Sequence, residues 1–303
     1  MNTALAPDIR HAETVPPTAW IDPTLLRHYL GELPALPQAV MEVLAILRIE
    51  NASAADCAER IARDQAMTAR TLRLANSAFY GMPGRVATIH DAVHMLGRRT
   101  LGALLTTAAV SAQFGRCRCP GFDFQAFWRH ALGTAIAAQS LARELASDDD
   151  LAFTAGLLHD VGRLALATYF PAELGAALTK ARADDAPLLE AERSVLGIDH
   201  AQVGAMIAAR WHFPDAVAEA ISAHHAPPAP AGPAAHALLA DLVHVADAIA
   251  HALDLSGADD ERVPDIEASS WERLALSPAQ CLRVFERTET GVAALCQALG
   301  VDS

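Results

Sequence analysis

Gly156-Leu157-Leu158-His159-Asp160-Val161-Gly162-Arg163 is the stretch on which the reading of this chain turns. A histidine and an aspartate stand side by side within a largely apolar run, Leu151 through Phe170. An ionised carboxylate in such surroundings is costly unless it is paired, hydrogen-bonded or bound to a cation. Alone, the dipeptide fits a hydrogen-bonded core pair. The rest of the chain offers it partners: His130, His200, the doublet His224-His225, and Asp247. Each falls in a different helix or helix end of the same half, and bundle metal sites are assembled in that way, with ligands projecting inward from facing helices. Mixed imidazole and carboxylate ligands suit divalent transition metals such as Fe, Mn, Co, Ni or Zn.

Composition sets the frame for that site. Of the 303 residues 52% are hydrophobic, chiefly Ala and Leu, and β-branched residues are sparse, which favours helices over strands. The fold expected is all-α, built as two helical bundles. A net charge of −13 argues against broad attraction to nucleic acid or to an anionic membrane. Five cysteines without framework spacing fit a reducing compartment. The N-terminus lacks the charged start and apolar block of a secretory signal, and no window is long enough to span a bilayer, so a cytoplasmic location is expected.

The chain divides into four parts. Residues 1–22 read as a loose, proline-bearing tail. Residues 23–120 form the first bundle, opened by the Asp22-Pro23 cap and followed by short helices near Ser53, Asp64, Thr88 and Arg98. Pro120 and Gly121 mark a boundary. Residues 121–255 form the second bundle: a helix over 124–145 with His130, Thr134, Ala138 and Leu141 on one face, then a central buried helix carrying His159-Asp160. Asp148 to Asp150 favour the start of that central helix, and Asp199 with Gln202 caps a helix that places His200 in its first turn. Residues 256–303 form a helical extension, with Ser277-Pro278 opening the first of its helices. His244, Asp247 and His251 share one helical face, so the flanking histidines could support the ligand between them.

The second half resembles the HD phosphohydrolase superfamily, whose H…HD…D pattern is matched by His130, His159, Asp160 and Asp247. With His200, His224 and His225 added, it is similar to the two-metal HD-GYP phosphodiesterases, which implies one or two ions. The chain from about residue 25 to 255 resembles the HDOD proteins of bacterial signalling. That likeness rests on Leu33-Pro34-Ala35-Leu36-Pro37, Leu74-Ala75-Asn76-Ser77-Ala78-Phe79-Tyr80-Gly81, Phe127-Trp128-Arg129-His130 and Leu196-Gly197-Ile198-Asp199-His200. It implies an HD-type second bundle with metal at His130, His159, Asp160, His200, His224, His225 and Asp247. It also implies a non-enzymatic regulator working through partner signalling proteins.

The alternative it implies is a metal-dependent phosphohydrolase acting on a nucleotide, with Asp160 bridging the ions and Arg163 orienting a phosphate oxygen. Three departures weigh against a cyclic dinucleotide substrate. The Gly-Tyr-Pro loop is replaced by Ala226-Pro227-Pro228, the phosphate-contacting Lys by Arg163, and a Glu one turn before His130 by Ala126. The oligomeric state is not encoded in any of these signals.

Overall fold

The computed structural model describes residues 20–36, 54–63, 68–69, 71–72, 86–96, 102, 105–107, 109–110, 113–114, 118–229, 234–257 and 262–299. Every regular element among them is a helix. In chain order these are α1 (Pro23–Glu32), α2 (Ala54–Ala62), α3 (Ile89–Leu96), α4 (Phe124–Glu144), α5 (Asp149–Leu158), α6 (Val161–Tyr169) and α7 (Pro171–Asp184). There follow α8 (Leu188–Leu196), α9 (His200–Arg210), α10 (Asp215–Ala223), α11 (Ala234–Ala252), α12 (Ala268–Leu274) and α13 (Pro278–Leu299). Local caps explain where many begin. Asp22 accepts from the Thr24 N–H, Asp148 from the Leu151 N–H, and Asp199 with Gln202 completes a capping box at α9.

Two expectations are corrected. The apolar run from Leu151 to Phe170 is not one central helix: α5 stops at Leu158 and α6 starts at Val161, with His159 and Asp160 as the turn between them. At Asp160 the backbone reaches φ −99° and ψ 11°, outside the helical well. In an unbroken helix adjacent side chains point about 100° apart. The break lets both residues face the same centre. Ser277-Pro278 opens α13, the second helix of the extension, because α12 already precedes it. The helix signal at Asp64, the Leu74–Gly81 motif and residues 1–19 lie outside the described residues.

α4 is the spine of the second half. It packs on α5, α11 and α13, while α9 packs on α6 and α10, and α10 on α11. Small residues permit the closest approaches. A Cβ on Gly156 of α5 would lie 2.9 Å from the Ala135 backbone of α4. One on Gly162 of α6 would lie 1.9 Å from the His200 carbonyl oxygen of α9. The hydrophobic core runs on into the N-terminal elements: Leu33, Leu36 and Phe114 belong to the same buried cluster as Leu166 and Trp211. Trp211 donates its indole N–H to the Pro34 carbonyl at 3.1 Å, and the Ile21 N–H donates to the Leu196 carbonyl at 3.0 Å. Tyr29 of α1 stacks on Tyr169 of α6 with ring centroids 5.2 Å apart.

Candidate metal centre

Five elements deliver side chains to one buried point. α4 supplies His130, the α5–α6 turn His159 and Asp160, the start of α9 His200, the end of α10 His224 and His225, and α11 Asp247. The structure thus brings together all seven residues that the sequence singled out. His130, His159, Asp160, His200, His224 and Asp247 are at most 4% exposed, and His225 is half-buried. Two separate groups have ligand atoms within 4.8 Å of one another: Asp160 with His200, His224 and His225, and His130 with Asp247 and His251. A third, His130 with His159 and Asp160, joins them.

The hydrogen bonds settle which ring nitrogen carries the proton. Nδ1 of His159 is 2.7 Å from the Gly156 carbonyl, Nδ1 of His224 is 2.7 Å from the Ile221 carbonyl, and Nδ1 of His200 is 2.6 Å from Glu192 Oε2. These oxygens only accept, so each Nδ1 donates and the Nε2 of the neutral ring is a bare lone pair. The Nε2 atoms face inward. His200 Nε2 lies 2.8 Å from His225 Nε2, and His130 Nε2 lies 3.2 Å from His159 Nε2. His224 Nε2 is buried with no hydrogen-bond partner. Donors of this kind, each ring anchored from behind by an oxygen, are what a metal ion requires. The residues present fit a cation.

Electrostatics agree. Burial disfavours charge on Asp160, yet His159, Arg163 and His200 outweigh it and hold the carboxyl well below its usual range. Burial is likewise outweighed at Asp247, where His251 and hydrogen bonds from His130 and His159 keep the carboxylate ionised. His200 is pushed up to about 10, because Glu192 and Asp160 overcome the effect of burial. Burial, with the neighbouring His159 charge next, takes His224 down to about 3, and burial lowers His225 and His130 as well. Asp160 and Asp247 likewise outweigh burial at His159 and raise it, so a cation at the centre would take the place of protons that His159 and His200 hold.

Arg163 Nη1 donates to Asp160 Oδ2 at 2.8 Å, while its Nε is buried without a partner. Its side chain and that of His251 are 23% and 24% exposed and form the rim of the cluster. Two supporting residues flank the cluster, one of them, Glu192, found only in the structure. Glu192, fully buried on α8, accepts from both the ring and the backbone N–H of His200; in sequence it looks like any charge on an amphipathic helix. His251 lies 3.5 Å from Asp247 Oδ1, and its i,i+4 spacing from Asp247 was the one signal available beforehand. His90 and His94, another i,i+4 pair, are exposed on α3.

A match to the HDOD domain model covers residues 33–227. Among curated proteins, an uncharacterized protein of Treponema pallidum (strain Nichols) is 27% identical over 199 residues, 65% of this chain and 38% of its own length. A candidate signal transduction protein of Marinobacter aquaeolei is a solved structure with TM-score 0.76 and 24% identity, covering 91% of this chain and 61% of its own. An HDOD domain protein of unknown function from Geobacter sulfurreducens aligns with TM-score 0.66 and 25% identity over 92% of this chain and 97% of its own. A candidate phosphohydrolase of Shewanella amazonensis has TM-score 0.59 and 30% identity over 87% and 98%. The chain therefore spans less than two thirds of the Treponema and Marinobacter proteins.

Proposed function

From the premise that the chain belongs to the HDOD family, we propose that it is a regulatory signalling protein whose second half binds a divalent transition metal. One observation carries the metal reading: the Nε2 atoms of His159, His200 and His224, each ring fixed by an oxygen at Nδ1, converge on Asp160 with no protein donor for His224. Asp160, His200, His224 and His225 would hold one ion. His130, Asp247 and His251, with His159 between the groups, would hold a second. A bound cation supplies neutralisation of the buried carboxylates and Lewis acidity toward a phosphate or water ligand. The N-terminal bundle is the surface proposed to engage partner signalling proteins.

Ligand recognition is favoured over turnover of a large substrate, because six of the seven side chains are at most 4% exposed as residues and the rim narrows to Arg163, His225 and His251. Phosphohydrolase chemistry is the second reading, supported by the Shewanella relative and by the unspent Nε donor of Arg163. Arg163 would then fix a phosphate oxygen by its planar fork. Elemental analysis of protein purified without affinity metals tests the first reading: wild type carries metal, and His159→Ala and Asp160→Ala each lose most of it. Full occupancy in both variants refutes the ligand assignment. Metal-loaded wild type that hydrolyses bis(p-nitrophenyl) phosphate, with the activity lost in Arg163→Ala, would instead establish the enzyme reading. Among the described residues no helix is long and apolar enough to cross a membrane.

A further inference from the structure

We infer that residues 262–299 brace the metal centre through His244, so that cation binding and docking of this segment reinforce each other; the inference rests on the metal reading above. His244 is a positioning residue on α11, 3% exposed, with both ring nitrogens committed to separate parts of the chain. Nδ1 donates to the main-chain carbonyl of His224 at 2.6 Å, and Nε2 accepts the Glu267 N–H at 2.9 Å. A neutral ring with its proton on Nδ1 satisfies both bonds at once. One side of the imidazole thus holds a proposed ligand residue, and the other holds the residue that precedes α12.

Further bonds fix the same segment to the two helices whose side chains form the His130–Asp247 contact of 2.9 Å. On α11, one turn before His244, buried Asp241 accepts from Arg273 Nε at 2.7 Å and Nη2 at 2.5 Å. On α4, Glu144 accepts from Arg283 and Arg287, and its carbonyl accepts from Gln280 Nε2 at 3.2 Å. Packing is close between these anchors: a Cβ on Gly291 of α13 would lie 3.0 Å from Ile136 of α4. The segment therefore holds α4, α11 and the His224 carbonyl in one relative position. The HDOD match ends at residue 227, so Asp247, His244 and the brace all lie beyond it.

A buried histidine that merely satisfies its own polarity would leave the segment indifferent to the ion. Coupling predicts reciprocity, since whatever the ion contributes to docking, docking contributes to the ion. The test uses the full chain. Hydrogen exchange of peptides within 262–299 is measured after chelation and after titration with zinc or manganese(II) alone, and metal affinity is measured for wild type, His244→Phe and Arg273→Ala. Metal slows exchange in 262–299, and Arg273→Ala, which touches no proposed ligand, binds metal about tenfold more weakly. If Arg273→Ala fails to fold, Arg283→Ala on the exposed side carries the same expectation with a smaller effect. Metal-independent exchange, or variants that bind metal as wild type does, overturns the coupling and leaves the metal reading intact. Wild type that binds no metal overturns both.

Discussion

Replacing Glu192 by Ala probes the centre from behind without removing a ligand. The carboxylate makes two short bonds to one residue, 2.6 Å to His200 Nδ1 and 2.9 Å to the His200 N–H. Losing it frees the ring to rotate and to move its proton to Nε2, which abolishes the donor lone pair. Asp160, His224 and His225 remain, so binding should weaken and not vanish. Partners of this kind are worth about 10- to 100-fold in metal affinity, or about 1.4–2.7 kcal/mol. Glu192→Gln can still accept from Nδ1 and should fall at the lower end.

A chelator competition assay gives the ratio directly. Metal-free protein supplies a second readout. The raised His200 pKa stabilises the fold fully below the ordinary value of 6.5, and that contribution is lost as pH rises toward about 10. Glu192→Ala should flatten the decline in stability over that window. Unchanged metal affinity together with an unchanged pH profile would refute the assignment of Glu192 to His200.

Three further outcomes follow from the geometry. Because His200 holds its extra proton up to about 10, a cation at Nε2 must displace it, so affinity should climb with pH between 6.5 and 10; a flat profile in competition assays contradicts this. Gly162→Ala places a methyl 1.9 Å from a backbone oxygen that cannot swing away, and should cost about 3 kcal/mol or more in chemical denaturation; a loss under half that would show that α6 and α9 can separate freely. Trp211→Phe keeps the buried ring but orphans the Pro34 carbonyl, for a loss of about 1 kcal/mol read from the same curves.

Signals confined to a few residues were legible in the sequence, and signals that needed a distant partner were not. Asp22-Pro23, Asp148 and the Asp199/Gln202 box announce helix starts because the capping atoms lie within three residues of their targets. The break at His159-Asp160 was hidden inside continuous apolarity. It is stabilised by groups far away in sequence: the Asp160 carboxylate turns to Arg163 and His200 instead of capping α6, and α9 crowds in at Gly162. Glu192 carried no local mark, since its function depends on a turn at Gly197 that folds α9 back toward α8. The histidines and aspartates could be named beforehand because ionisable residues at apolar helix positions are conspicuous. Their division into two groups linked by a third depends on distances alone.

The glycine crossing of α6 and α9 fixes part of the centre and leaves part of it open to change. At Gly162 any side chain meets the His200 carbonyl, and at Gly204 a Cβ would sit 2.8 Å from Ile221. A side chain at Gly162 would push α6 and α9 apart, so the packing itself sets the spacing between Asp160 and His200. Exchange of His225 or His251, whose rings reach the surface, is therefore the substitution expected to alter cation preference with the least cost to the fold.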